Sequence, residues 1–309
     1  MKTNVKTFPY HLVAPSPWPA LASFGMLSLT IGFVITFHKY SGGLAVLISG
    51  LLTLIFVSSS WWRDIYRESA EGCHTNKVKA GLHLGLLFFI VTELMFFVGL
   101  LWASMHAALM PTVQIGQAWP PVGIVPVDWT RRPLLNSVVL ATSFFSANAV
   151  KHALDTGDNK GARVNLVITI LLGLIFVGFQ YLEYTDAPFT FSDSAFGSTF
   201  FLTTGFHGFH VILGIIYLVV CLFTLNSMGP RNSTAFDLAL VYWHMVDVVW
   251  IFVFIIVYAW NGTLPSYDID TASDGALAVY LSLRDTRLDL FLHQNVILRV
   301  LCASICLNF

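Results

Sequence analysis

Residues 80–110 read AGLHLGLLFFIVTELMFFVGLLWASMHAALM, thirty-one positions with one acidic side chain, Glu93, and no lysine or arginine. A helix needs about 20 mostly apolar residues to cross a hydrocarbon layer ~30 Å thick. This run exceeds that length, so it predicts a tilted membrane span. Six more runs qualify: 19–38, 42–62, 134–154, 162–183, 198–225 and 235–260. The fourth span, 134–154, is the most polar, broken by Ser, Thr and Asn. The expectation is an all-α integral membrane protein with seven transmembrane helices.

Bulk composition agrees. Of 309 residues, 56% are hydrophobic and 11% charged, with 26 Phe and 9 Trp. Soluble domains carry about 25% charged residues, so a lipid solvent explains the surface better than an oversized aqueous core. The net charge of −1 comes with no basic tract, which argues against nucleic-acid binding. Cys73, Cys221, Cys302 and Cys306 show neither zinc spacing nor a disulfide framework. Residues 1–18 hold Lys2, Lys6 and three prolines without an apolar core, so no cleavable leader is expected.

Between spans, 112–133 is a proline-rich loop expected to be ordered but irregular. Numbering the connections alternately from the N-terminus puts ten Lys and Arg on one side. They are Lys2, Lys6, Arg63, Arg67, Lys77, Lys79, Lys151, Lys160, Arg163 and Arg231. Only Lys39, Arg131 and Arg132 fall on the other side. The positive-inside rule then predicts an inner N-terminus and an outer tail. Two domains are expected: 1–262, the membrane part, and 263–309, a polar and acidic extension that ends apolar and is flexible or surface-lying.

Glu93 is the sharpest chemical feature. A carboxylate at mid-membrane depth is costly unless protonated or paired, so it is expected to be buried and to exchange a proton or order water. The plain alternative is a neutral Glu bonded to a neighbouring helix. Trp61-Trp62-Arg63-Asp64-Ile-Tyr66-Arg67-Glu68 closes the second span, and Arg63 and Arg67 share a helical face that fits a lipid phosphate. An aromatic belt with snorkelling arginines reads equally well there. His207 and His210, three apart in the sixth span, point roughly the same way, and His244 and Asp247 repeat the spacing in the seventh. Both pairs admit metal ligation, and polar bonding between helices is the plainer account. Glu183, Asp186 and Asp193 read as helix-end and loop carboxylates.

Nine strings in order across the chain then resemble subunit III of the aa3-type cytochrome c oxidase family, over about Tyr10 to Gly262. They are Tyr10-His-Leu-Val-Ala-Pro-Ser-Pro-Trp-Pro19, Trp61-Trp-Arg-Asp64 with Arg67-Glu-Ser69, His74-Thr75, Thr92-Glu-Leu-Met-Phe-Phe97 and Trp119-Pro-Pro121. Further on come Ala187-Pro-Phe-Thr-Phe-Ser-Asp193, Gly197-Ser-Thr-Phe-Phe201, Thr204-Gly-Phe-His-Gly-Phe-His-Val211 and Tyr242-Trp-His-Met-Val-Asp-Val-Val-Trp250. The stretch 187–201 is closer to mitochondrial than to bacterial members.

The resemblance implies a subunit without a redox centre, beside subunit I and its proton-uptake path. Hemes a and a3 and copper belong to partner subunits. It implies a bundle split into helices one and two against three to seven, with phospholipids in a V-shaped cleft. It also implies partnership with subunits I and II and accessory subunits, in the mitochondrial inner membrane. Glu93 corresponds to the family's buried carboxylate. Trp62, Arg67, Glu68 and His74 correspond to lipid-headgroup contacts, and Trp102 and His106 lie where more are expected. Departures are Ala149-Val-Lys151-His152 for the usual Trp-Ala-His-His, the absence of a basic residue near Thr224, a shorter connection before the seventh span, and Asp237 for Glu. Two other readings remain open: an independent proton-coupled carrier using Glu93, and a heme-binding subunit using His207, His210 and His244.

Overall fold

A computed structural model describes residues 10–225 and 233–263. Lys2, Lys6, Arg231, Cys302, Cys306 and the expected extension from residue 264 onward lie outside the described residues. Seven helices are long and apolar enough to cross a membrane. They are α1 Trp18–Phe37, α2 Gly43–Ala70, α3 Asn76–Leu109, α4 Arg132–Thr156, α5 Asn159–Asp186, α6 Ser194–Thr224 and α7 Thr234–Val253. The helix runs on from α7 through a π-helical stretch, Phe254–Ala259, to a last α-turn, Trp260–Thr263. Most helices outrun the apolar segments that announce them, because polar residues at a helix end can stay hydrogen-bonded and helical in the headgroup region.

The chain divides into two compact units at Leu87/Phe88. That boundary falls inside α3, with α1 and α2 wholly in the first unit and α4–α7 wholly in the second. The burial pattern gives the reason: no residue of α3 before Ile90 is buried, whereas Ile90, Phe97, Leu101, Ser104, Met105 and Ala108 are.

In the first unit, α1 and α2 form a hairpin whose contact face is glycine. The buried residues of α1 are Gly25 and Gly32, and α2 buries Gly43, Gly50, Val57 and Ser60. A Cβ at Gly32 would lie 2.5 Å from the Leu47 backbone, and one at Gly50 would lie 2.6 Å from Leu29 N. Between membrane helices, where burial of apolar surface supplies no drive, such close backbone approach provides the packing. The start of α1 is tied to α2 by Trp18 Nε1, which donates to Asp64 Oδ2 at 2.8 Å.

In the second unit, α4–α7 enclose the core. On α6 the buried positions Gly197, Phe200, Thr204, His207, Val211, Gly214, Leu218 and Cys221 recur every three or four residues, one helical face. Trp243 of α7 locks the bundle. Its ring sits where Cβ atoms on Gly173 or Gly214 would collide with it at 2.8 and 2.9 Å, and its Nε1 donates to Ser143 Oγ of α4 at 3.1 Å. Trp250 Nε1 repeats the bond one heptad on, to Ser137 Oγ at 3.0 Å. The 110–131 loop is ordered and irregular, as expected. Ala118 to Pro121 are buried, and Trp119 Nε1 donates to Asn261 Oδ1 at 2.9 Å.

The 187–193 turn shows why its motif reads as it does. The Thr190 N–H donates to Asp193 Oδ2 at 2.6 Å, and Phe189 packs edge-on against Phe196 and Phe200. Gly197 lies directly under the Thr190 carbonyl, where any Cβ would collide.

Candidate functional site

Glu93 lies on α3 opposite His210 of α6, with the Glu93 Oε2 to His210 Nε2 distance 2.9 Å. The other ring nitrogen, Nδ1, is 2.8 Å from the Phe206 carbonyl. A carbonyl only accepts, so Nδ1 carries the hydrogen. Nε2 and the carboxyl oxygen therefore share one proton. The pair is either a carboxylic acid donating to a neutral imidazole or an imidazolium donating to a carboxylate. Both forms are neutral overall, which is the least costly way to keep an acid at this depth.

Aromatic rings confine the pair. Phe97 meets the His210 ring edge-on at 5.2 Å, and Tyr242 stacks on it at 6.5 Å with its OH 3.4 Å from the His210 carbonyl. The Glu93 side chain is not fully buried; 23% of it remains exposed. On α3, Ile90, Phe97 and Leu101 are buried while Phe88, Val91, Met95 and Val98 are exposed, so part of the helix surface is uncovered. Glu93 thus presents a proton-bearing group toward whatever covers that face.

Among the described residues, two other carboxylates are more deeply buried. Glu183, expected at a helix end, is 3% exposed and receives bonds on Oε1 from the Tyr258 OH at 2.5 Å and Gln180 Nε2 at 3.2 Å. The spacing Gln180-x-x-Glu183 on one helix face is a sequence sign of this pairing, but Tyr258 comes from a π-helical stretch that the sequence does not announce. Asp247 is 8% exposed and lies 3.4 Å from His244 Nδ1, while His244 Nε2 is 3.3 Å from Asn148 Oδ1.

His207 and His210 do not point the same way. His207 Nε2 donates to the Val246 carbonyl at 3.2 Å between the rings of Phe176 and Trp250, while His210 turns to Glu93. Each of His207, His210 and His244 is committed to a different partner. Among the described residues, no three His, Cys, Asp or Glu side chains converge as a metal site.

Trp62, Arg67, Glu68 and His74 lie within the first unit. Trp62 is 63% exposed. Arg63 pairs with Asp64, 3.0 Å away, and Arg67 is exposed without an ion pair among the described residues. Glu68 is 3.8 Å from His11 Nδ1. His74, in the turn after α2, has its pKa lowered by burial, against the opposing pull of the Glu68 charge. Trp102 and His106 lie toward the C-terminal end of α3 with ring centres 6.3 Å apart.

Two departures from the family pattern meet in space. Lys151 Nζ lies 2.8 Å from Asp237 Oδ1, 2.9 Å from Asp155 Oδ1 and 3.1 Å from Ser233 Oγ. The lysine of α4 and the shortened carboxylate of α7 therefore form one ion-pair cluster.

The family model of cytochrome c oxidase subunit III matches residues 8–262. Relatives named cytochrome c oxidase subunit 3 align with the same region. That of Prototheca wickerhamii is 49% identical over 261 residues, covering 84% of this chain and all of the relative. That of Triticum aestivum is 48% identical over 82% of this chain and 97% of its own. That of Branchiostoma lanceolatum is 44% identical over 84% and 99%.

Proposed function

The chain belongs to the cytochrome c oxidase subunit III family, and on that premise we propose that it serves the oxidase without a redox centre of its own, by sustaining subunit I and its proton-uptake path. The observation that carries this reading is the Glu93–His210 pair: one shared proton, neutral overall, partly open on the face of a membrane helix. Such a group can hold and pass a proton without fixing a charge in lipid.

Electrons from cytochrome c then pass through hemes a and a3 and copper in partner subunits. The chain's contacts are with subunits I and II, accessory subunits and phospholipids. Trp62, Arg67, Glu68 and His74 supply a headgroup-level set in which an exposed guanidinium offers a phosphate ligand. Trp102 and His106 supply a second aromatic set. The protein resides in the mitochondrial inner membrane with its N-terminus on the matrix side and its C-terminus toward the intermembrane space.

Purification of the chain from its native membrane tests this reading. Co-purification with heme A, copper and subunits I and II, the chain alone being colourless, is the expected result. A chain that is stable and transports solute coupled to protons by itself would establish the carrier reading instead. A Soret band from the isolated chain would establish a redox role.

A further inference from the structure

A pocket of about 290 Å³ opens at the end of the bundle that carries the 110–131 and 187–193 connections, lined in part by Val127, Asp128, Arg132, Glu183, Asp186 and Ala187. Two of its three acids are already satisfied. The Asp128 carboxyl is held below the usual range by the Thr130 OH and N–H at 2.6 and 3.0 Å and by Arg131 at 2.9 Å. Asp186 is paired with Arg132.

Glu183 differs. Both of its donors, Tyr258 and Gln180, bond to Oε1, and Oε2 is buried without a hydrogen-bond partner among the described residues. Ionised, Oε2 has lone pairs that need a donor; protonated, it has an O–H that needs an acceptor. Either way a buried polar atom demands a partner, and it lines a pocket roomy enough for several waters. A second observation points the same way. Tyr258, 1% exposed, is carried on the π-helical stretch, and such wide turns concentrate at functional sites.

We propose that Glu183 is a proton-binding site, linked through water in this pocket to the aqueous phase on the 110–131 side. The exchange is a plain acid–base step: the carboxyl gives its proton to a pocket water and takes one back, with Tyr258 and Gln180 stabilising the carboxylate through Oε1. The site is separate from the Glu93–His210 pair. Its assignment to the outer face rests on the orientation proposed above; the site itself does not.

Infrared difference spectroscopy on the assembled oxidase in sealed vesicles reads the carboxylic C=O band directly. The expected result is a band that titrates with pH on the pocket side, shifts in D2O and is lost in Glu183→Gln but kept in Glu93→Gln. Tyr258→Phe removes a donor to the carboxylate and should raise the band's titration midpoint by about one pH unit. Ala187→Leu narrows the pocket and should slow deuterium exchange of the band about tenfold. An unaltered band in Glu183→Gln overturns the proposal. So does a band indifferent to pH and D2O, or one that answers to sodium or calcium at fixed pH, which marks a cation site. If Glu183→Gln fails to assemble, a band unmoved by both Tyr258→Phe and Ala187→Leu overturns it. A band that answers to pH on the opposite side leaves the site standing and overturns the orientation alone.

Discussion

Glu93 and His210 hold one proton between two heavy atoms 2.9 Å apart, and substitution can separate that proton from the packing around it. In Glu93→Gln the amide N–H donates to His210 Nε2, so the contact survives while the ionisable proton is gone. Assembly is expected to be normal, with proton uptake slowed or catalytic lifetime shortened severalfold in prolonged oxygen-consumption assays. His210→Leu instead leaves the carboxyl unpaired among rings, at a cost of about 1–3 kcal/mol, and should lower the yield of assembled complex. Arg67 is the other residue whose role reads out cleanly, since it is exposed and has no ion-pair partner among the described residues. Arg67→Ala is expected to lower the phospholipid retained per complex on delipidation, measured by mass spectrometry, while Arg63→Ala, which loses only the Asp64 pairing, should not. Glu93 was legible in the sequence because a lone acid in thirty-one apolar positions is conspicuous. Its imidazole partner was not, because His210 lies 117 positions away and only the packing of α3 on α6 selects it over His207. Glu183 does end α5 as expected, but its burial was not legible, because it depends on a tyrosine 75 positions on.

Helix by helix, close approach is governed by small residues. On the α1–α2 hairpin a Cβ at Gly32 would enter the Leu47 backbone, and backbone cannot step aside as a side chain does. Gly32→Leu is therefore expected to destabilise the hairpin by about 1–3 kcal/mol and to reduce complex yield on blue-native gels. Gly85→Ala, with open space around it, serves as the silent control. The α4–α7 contact through Lys151 and Asp237 calls for a double-mutant cycle. Both side chains are about a third exposed, so the coupling should be modest, about 0.5–1 kcal/mol, seen as a thermal-inactivation loss in Lys151→Met plus Asp237→Leu smaller than the two single losses added. All seven spans were legible from the length of apolar runs. The π-helical stretch was not, since Phe254 to Ala259 has nothing in composition that distinguishes it from the α-helix before it.

At the scale of the whole molecule, orientation is the property that charge counting addresses and helix packing does not. Seven crossings put the 71–75 and 157–158 connections on one side and the 110–131 and 187–193 connections on the other. The ten-to-three excess of Lys and Arg supports the proposed placing of the first set on the matrix side. Three of those ten, Lys2, Lys6 and Arg231, lie outside the described residues, but the seven that remain still outnumber Lys39, Arg131 and Arg132. All seven sit near the helix ends that flank the 71–75 and 157–158 connections, within the reach over which the rule acts. A single cysteine placed at the exposed Val122, in a chain whose native cysteines are replaced by serine, should react with a membrane-impermeant maleimide in mitoplasts, whose inner membrane is intact. A cysteine at the exposed Gly72 should react only after that membrane is opened. The reverse pattern would invert the orientation, and with it place the Glu183 pocket on the side from which protons are drawn.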